Sequence, residues 1–122
     1  MQVQVSTEHA IRIVRYLHLQ DRRVHSAQEI SWGLGLSYPV FVKVAGVLKR
    51  AGILSAVHGR NGGFQLNKPA HEISVYDILV IIEGEPKSSQ QNASEQCEVR
   101  TYFDGVQARM IDTLTRTNVA KL

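Results

Sequence analysis

Residues 26–66 read SAQEISWGLGLSYPVFVKVAGVLKRAGILSAVHGRNGGFQL, and this stretch decides the fold. Ser26 and Glu29 have the spacing of a capping box, in which the two side chains satisfy backbone amides of the first helical turn. Gly35 suits the left-handed backbone that ends a helix, and Ser37 can cap the next one. The stretch therefore predicts two helices joined by a short turn, which is a helix-turn-helix.

The helix that starts after Ser37 is followed by a pattern typical of a β-hairpin. Its apolar positions recur at helical spacing and predict a buried face made of Phe41, Val44, Val47 and Leu48. Two strand-like runs, 53–57 and 63–66, then flank a glycine-rich turn that carries Arg60 at its tip. A helix-turn-helix followed by a hairpin with a basic tip predicts a winged helix. That fold places its second helix in the major groove of DNA and its wing near phosphates or a neighbouring groove.

Helical periodicity also marks the regions on both sides. A first helix is predicted from residue 6 or 7 to residue 19, and a fourth over residues 75–83, after a second capping sequence at Ser74. The aromatic residues Tyr16 and Trp32 are expected to pack in the core or at its edge.

The last predicted helix runs from Glu98 to about Arg116 and carries an apolar stripe. The stripe consists of Val99, Phe103, Val106, Met110 and Leu114. Such a face packs either against its own domain or against a copy of itself, and its place at the end of the sequence favours a homodimer.

The sequence thus predicts a mainly α fold with a small β-wing (α+β). A winged helix-turn-helix DNA-binding domain would occupy residues 1–84, a loop residues 85–97, and a dimerisation helix with a tail residues 98–122.

The charges divide the chain into a basic front and an acidic back. Residues 1–68 carry nine Lys and Arg against three Asp and Glu, a net charge of +6, whereas residues 69–122 carry five against eight, a net charge of −3. This asymmetry favours a polyanion-binding face on the first half. An ordinary solvated charged surface is the alternative interpretation.

The candidate DNA-binding residues lie on the outward face of the third helix and on the wing. Lys43 can donate to guanine or to phosphate, and Val42 can make only apolar contacts, for example with a thymine methyl group. The full set is Ser37, Tyr38, Pro39, Val42, Lys43, Lys49, Arg50, His58, Arg60 and Asn61. A winged helix that mediates only protein contacts is the alternative, and it would show no salt-dependent DNA affinity.

Length and composition exclude other classes. The chain has 122 residues, of which 43% are hydrophobic, and fits a single small domain. Its longest apolar run, 78–82, is far shorter than the roughly 20 residues that cross a bilayer. Glu8, Arg12 and Arg15 interrupt the apolar residues where a secretory signal would need a continuous stretch. We therefore expect a cytoplasmic protein with no membrane partner.

The single cysteine limits the available chemistry. Cys97 can form no intrachain disulfide and supplies too few ligands for a structural zinc site. A cysteine–histidine hydrolase would need a histidine and an oxyanion motif, and the sequence shows neither near Cys97. We expect no enzyme, no catalytic residues, no metal site and no resident cofactor.

The run from residue 28 to residue 86, QEISWGLGLSYPVFVKVAGVLKRAGILSAVHGRNGGFQLNKPAHEISVYDILVIIEGEP, resembles the Rrf-two family of bacterial winged-helix transcriptional regulators. The most specific part is the glycine-rich wing with its aromatic residue, 59–64, followed by Leu66, Ile73 and the helix that ends in 82–84. The resemblance covers essentially the whole chain. It implies a homodimer through the last helix, a pseudo-palindromic operator in double-stranded DNA, and usually repression of nearby genes. A regulatory small molecule or protein would be a further partner.

The resemblance also bears on sensing. Sensors of this family usually hold a two-iron two-sulfur cluster with three cysteines in the loop before the dimer helix, and Cys97 resembles the third of these. The other two are absent, and the loop looks shorter than in the cluster-binding members. Some members add an acid from the first helix, and Glu8 stands at that position. Thiol-based or partner-controlled sensing at Cys97 is therefore the expectation, and an iron-sulfur redox or nitric oxide sensor that uses Cys97 and Glu8 is the alternative.

Overall fold

Five helices and one β-hairpin form the part of the chain that the computed structural model describes, residues 2–20, 24–85 and 98–122. The helices are α1 (Val5–Leu19), α2 (Ala27–Leu34), α3 (Tyr38–Arg50), α4 (Val75–Glu83) and α5 (Glu98–Arg116). The strands are β1 (Leu54–Val57) and β2 (Gly63–Leu66), and short 3-10 turns span Ala70–Glu72 and Val119–Lys121. The predicted mainly α fold with a small β-wing is confirmed.

The helix-turn-helix begins and ends where its capping residues predict. The Ser26 hydroxyl accepts a hydrogen bond from the backbone N–H of Glu29 at 3.1 Å, at the start of α2. Gly35 ends α2 in the left-handed region, with φ of 67° and ψ of 27°. The Ser37 hydroxyl then accepts from the backbone N–H of Val40 at 3.4 Å, and α3 begins. These local signals were sufficient because each one acts within a single turn of chain.

The start of α1 is capped from a distant part of the chain. The helix begins at Val5, before the predicted residue 6 or 7, and the side chain of Gln4 makes no cap hydrogen bond. The Glu83 carboxylate, at the end of α4, accepts a hydrogen bond from the backbone N–H of Gln4 at 3.1 Å and another from the buried hydroxyl of Thr7. A carboxylate at a helix N-terminus is favoured by the helix dipole, so Glu83 joins α4 to α1.

The hydrophobic core lies between α1, α3, β1 and α4. The buried face of α3 consists of Phe41, Val44, Ala45 and Leu48, whereas Val47, which the sequence pattern placed there, is only half-buried. Ala45 replaces it because positions i, i+3, i+4 and i+7 from Phe41 share one helix face. The remaining apolar residues of the core are Ala10, Ile13, Val14, Leu17, Ile30, Ile53, Leu54, Ala70, Ile73, Ile78 and Val119.

The prediction for Trp32 was wrong. Its side chain is 80% exposed, because α2 buries the preceding residues Ile30 and Ser31 and one helical step of about 100° turns position 32 outward. Tyr16 is half-buried as predicted, and a Cβ added to Gly33 would lie 2.7 Å from its ring. Gly33 therefore allows α2 to pack closely on α1.

The wing is tied to the body of the protein at its base. β1 and β2 pair antiparallel, with Ser55 opposite Gln65. Outside the hairpin, His25 exchanges two backbone hydrogen bonds with Phe64, at 3.0 and 2.8 Å. A Cβ on Gly63 would lie 2.0 Å from the carbonyl oxygen of His25, so this close approach requires glycine.

The residues after α5 return to the core. Val119 is 1% exposed, and its backbone N–H donates to the carbonyl of Ile73 at 2.9 Å. The carbonyl of Thr117 accepts from the backbone N–H of Val75 at 2.8 Å. The tail thus holds the start of α4, whose predicted capping box between Ser74 and Asp77 is confirmed.

No single helix within residues 2–20, 24–85 and 98–122 is long and apolar enough to cross a membrane. Taken together, α2 and α3 are long and apolar enough by length and composition alone, but the pair is bent by 112°.

Candidate nucleic-acid interface

The outward face of α3 is the centre of the candidate site. Pro39, Lys43, Gly46 and Arg50 lie at positions i, i+4, i+7 and i+11, opposite the face that Phe41 and its neighbours bury. Lys43 and Arg50 are exposed, and Gly46 between them has no side chain. A Cβ added to Gly46 would have only Arg50 within 4 Å, at 3.5 Å, so the space above this glycine is open. The helix therefore offers cations on either side of an accessible stretch of backbone.

Two flanks extend this face. Tyr38 is 58% exposed, Val42 is 41% exposed, and Lys49 on the same side is also exposed. The opposite flank carries Val40, which is 39% exposed. A hydroxyl, apolar methyl groups and ammonium groups together can contact phosphates and the edges of bases.

The wing presents a second set of polar groups. The backbone N–H of Gly62 donates to the carbonyl of Gly59 at 3.0 Å and closes the turn between the strands. Arg60 and Asn61 lie within this turn, and His58 precedes it; all three are exposed. A Cβ on Gly62 would lie 2.1 Å from the carbonyl oxygen of Val57, so glycine is required for the turn that presents Arg60.

Packing fixes the wing relative to α3. The rings of Phe41 in α3 and Phe64 in β2 lie edge to face with centroids 5.6 Å apart. The backbone N–H of Ile53 donates to Leu48 at 3.0 Å, and the side-chain amide of Asn67 donates to the carbonyl of Gly52 at 3.0 Å. Helix and hairpin therefore pack as one unit, as a site that contacted two grooves would require.

Arg12 belongs to the scaffold of the site. Its guanidinium donates to the carbonyl of Leu34 at 2.6 Å, at the end of α2 just before the turn. A cation at a helix C-terminus satisfies a carbonyl that lacks an intrahelical partner. Arg12 thus stabilises the turn that sets the direction of α3, a role that the sequence pattern did not reveal because the contact joins residues 22 positions apart.

The charges around the site favour a polyanion. Lys43, Lys49, Arg50 and Arg60 are exposed. Of the acids in residues 2–20 and 24–68, the Glu29 carboxylate lies 3.1 Å from Nδ1 of the buried His25, and Glu8 lies in the first turn of α1. The cations of α3 and the wing therefore give their surface an excess of positive charge.

The structure places all ten predicted DNA-binding residues on the surface. They are Ser37, Tyr38, Pro39, Val42, Lys43, Lys49, Arg50, His58, Arg60 and Asn61. The backbone of Gly46 is also open on the outward face of α3, and the ring of Trp32 on α2 is exposed.

The apolar stripe of α5 is exposed at the N-terminal end of the helix and half-buried along the rest. The helix has no buried residue, and Val99 and Phe103 are each 62% exposed. Phe103 lies edge to face with the equally exposed Tyr102, with centroids 5.4 Å apart. The rest of the predicted stripe, Val106, Met110 and Leu114, is half-buried and lines a cavity of about 480 Å³ together with Leu79 of α4. The C-terminal part of this stripe therefore faces α4, and its N-terminal part, at Val99 and Phe103, remains open.

The residues proposed for sensing are only partly described. Cys97 lies outside the described residues, directly before α5, and Glu8 is exposed on α1. Within residues 2–20, 24–85 and 98–122, no group of three His, Cys, Asp or Glu side chains is placed to hold a metal ion. Because the whole chain has one cysteine, its ligands do not fit a cysteine-held iron-sulfur cluster within one subunit.

Comparison with solved structures supports the same fold. The chain is similar to CymR (YrzC), the global cysteine regulator of B. subtilis, with a TM-score of 0.86, 18% identity and coverage of 99% of this chain and 95% of that one. It is similar to IscR of T. potens, with a TM-score of 0.83, 22% identity and coverage of 99% and 85%. It is also similar to the oxidized form of Staphylococcus aureus CymR, with a TM-score of 0.80, 24% identity and coverage of 99% and 94%.

A family comparison covers nearly the whole sequence. The model of the Rrf2 family, described as an iron-dependent transcriptional regulator, matches residues 3–122. This match includes the helix-turn-helix, the wing and α5. The chain therefore belongs to the Rrf2 family of transcriptional regulators, which is the Rrf-two family that its sequence resembles.

Proposed function

We propose that this protein is a homodimer that binds double-stranded DNA at a pseudo-palindromic operator and represses the genes beside it. The observation that carries the proposal is the outward face of α3, where Lys43 and Arg50 flank the open backbone of Gly46, together with the exposed Arg60 of the wing. No acid belongs to α3, β1, β2 or the turn between the strands.

The residues of this face suit separate parts of a duplex. Lys43 can donate to guanine or phosphate in a major groove, and Val42 can contact a thymine methyl group. Arg60 at the wing tip suits a phosphate or the adjacent minor groove. Phosphate contacts would supply most of the affinity, and the few base contacts would choose the operator.

A dimer follows from two arguments. One short recognition helix with one wing supplies few contacts for a specific site, and regulators of this kind usually bind two half-sites about 34–36 Å apart. The uncovered side of α5, with Val99 and Phe103 exposed, is a suitable surface for a second copy. A two-fold dimer would bind a two-fold symmetric sequence.

Selection from a random duplex library, followed by fluorescence anisotropy, tests the proposal. We expect a pseudo-palindromic site, and an affinity about ten-fold weaker for Lys43→Gln and for Arg60→Gln. Arg60→Gln should also flatten the slope of log K against log salt by about one unit, because one phosphate contact is lost. Arg109→Gln, which removes an exposed cation from α5, is the matched control.

Two results would reject this function. Unchanged DNA affinity in both variants would remove α3 and the wing from the interface. Absence of salt-dependent DNA binding in the wild-type protein would favour a winged helix that contacts only other proteins.

We further propose that control acts through Cys97, as a thiol or through a partner protein, rather than through a cluster. Cys97 directly precedes Glu98, the first residue of α5, so a modification there would act beside the dimer helix. One structure similar to this chain is of an oxidized regulator, S. aureus CymR. Peroxide would convert the Cys97 thiolate to a sulfenic acid with loss of hydroxide, and a second thiol would then displace water to form a disulfide.

DNA affinity of wild type and Cys97→Ser, each measured reduced and after peroxide, tests this control. We expect a change of about five-fold or more in the wild type and none in the serine variant. Equal responses would exclude thiol control. An iron-sulfur absorbance in anaerobically purified protein would instead establish the cluster.

A further inference from the structure

We propose that an open cavity beside the wing binds a small organic acid and thereby regulates DNA binding; the regulatory part rests on the proposed function. The cavity has a volume of about 620 Å³ and lies where the end of α1, the two wing strands and the connection from β2 to α4 meet. No residue of α3 lines it, so the cavity is distinct from the candidate DNA interface. Its size lies within the range of small-molecule sites.

Part of the lining is apolar. Leu17 of α1 and Ala70 of the 3-10 turn are buried, with exposures of 4% and 2%. Leu66 and Pro69 are half-buried beside them. These side chains can cover the carbon skeleton of an organic ligand. A hydrated inorganic ion has no such skeleton, so the apolar lining favours an organic ligand.

The polar lining favours an anion. Lys68 is half-buried and supplies a positive charge, and none of the lining residues within 2–20 and 24–85 is Asp or Glu. His18 and His71 lie on the same lining, and an imidazole donates at least one hydrogen bond in either protonation state. The Glu72 carboxylate lies 3.8 Å from Nε2 of His71, but both side chains are more than half exposed, so this contact is weak.

The wing supplies uncharged polar groups. Ser55 and Gln65 are opposite each other in the antiparallel pair, so their side chains share one face of the hairpin. Both line the cavity. This lining suits an organic acid. Lys68 and an imidazole would hold its carboxylate, and Leu17 would contact its apolar chain.

An occupied cavity would connect the wing to α1. Gln65 belongs to β2, whose other end leads to the turn with Arg60, whereas Leu17 and His18 belong to α1. A carboxylate bound between them would add a negative charge beside Lys68, which follows β2 in the sequence. This charge would reduce the attraction of phosphates to the wing, and we expect binding of the acid to weaken DNA affinity.

Fluorine NMR with 4-fluorobenzoate, a carboxylate on an apolar ring, tests the cavity in the full chain. We expect saturable broadening with the wild-type protein, and at least about five-fold weaker binding with Lys68→Gln, because the fixed charge is lost. Arg116→Gln removes an exposed cation from α5 outside the cavity and should bind like the wild type. The neutral 4-fluorobenzyl alcohol should bind weakly or not at all.

The same titration defines the results that overturn the proposal. No binding of 4-fluorobenzoate, equal binding by Lys68→Gln, or equal binding of the alcohol would each reject an organic-acid site in this cavity. Displacement by inorganic phosphate at equal concentration would replace it with a general anion site.

DNA anisotropy with and without 4-fluorobenzoate tests the regulatory part. We expect about five-fold weaker DNA affinity in the wild type when the probe is bound, and no probe effect in Lys68→Gln. Binding of the probe without this change would reject regulation. Probe binding with no DNA binding at all would reject the proposed function but not the cavity site. DNA binding without probe binding would reject the cavity site but not the proposed function.

Discussion

The outward face of α3, which is the candidate DNA interface, and the surface of α5 are built in opposite ways. On α3, the outward Lys43 is exposed while Phe41, two residues earlier, is fully buried, so a rigid core supports a mainly polar surface. On α5, no residue is buried, and Phe103 is 62% exposed. One surface is complete within a single chain and suits a charged partner. The other leaves apolar area in water and suits a second apolar face.

This contrast predicts that alanine substitutions at the buried Phe41 and at the exposed Phe103 differ most in their effect on stability. Phe41→Ala should lower the free energy of unfolding by about 3–5 kcal/mol, because it leaves a cavity beside Phe64. Phe103→Ala should change the stability of the monomer by less than about 1 kcal/mol. Urea unfolding at several protein concentrations separates folding from association. Similar losses in both variants would show that α5 is as well packed as α3.

The open side of α5 predicts the next largest effect. Phe103→Asp should weaken self-association by about 100-fold or more, since the interface would bury an unpaired carboxylate. Ala108→Asp adds the same charge at an exposed position off the stripe and should leave association unchanged. Sedimentation velocity measures both, with circular dichroism to confirm folding. A folded, dimeric Phe103→Asp variant would place the interface elsewhere.

Glu83, the last residue of α4, is the site of a third substitution, with an intermediate expected effect on the free energy of unfolding. Glu83→Ala should destabilise the fold by about 1–2 kcal/mol, because the N-terminus of α1 and the buried Thr7 hydroxyl lose their acceptor. Glu85 is exposed, so Glu85→Ala should lower the free energy of unfolding by less than about 0.5 kcal/mol. Thermal unfolding of the two variants gives the comparison, and equal melting temperatures would contradict the capping role.

Two glycines give the smallest and sharpest test. Gly46→Ala in α3 and Gly105→Ala in α5 both place a methyl group in open space on a helix, and each should stabilise the protein by about 0.5–1 kcal/mol. Only Gly46→Ala should weaken DNA binding, by about three-fold or more, because its methyl group keeps the helix away from the groove. If both variants bind DNA equally well, the backbone of α3 does not approach the duplex closely.

Sequence patterns predicted the elements that depend on neighbouring residues. The cap at Ser26, the left-handed Gly35, the capping box at Ser74 and the bounds of α5 are confirmed, since each involves contacts within a few positions. The winged-helix fold followed from their order along the chain.

The patterns could not predict contacts between distant segments. Glu83 caps α1 across 79 positions from Gln4, and Arg12 reaches Leu34 across 22. Local composition gives no sign of such pairs. Trp32 was misplaced for a related reason: an aromatic residue favours burial on average, but the neighbours of α2 decide which face is covered. The DNA contacts of the exposed residues remain predictions.

The position of Val119 has a consequence for synthesis of the protein. Its side chain completes the core, and its backbone binds Ile73, although it follows α5 in the sequence. As the chain leaves the ribosome, the helix-turn-helix and the wing emerge first but lack this part of their core. The N-terminal half therefore reaches full stability only after residues 117–119 have been translated, and nascent chains that stop earlier should be substrates for chaperones and proteases.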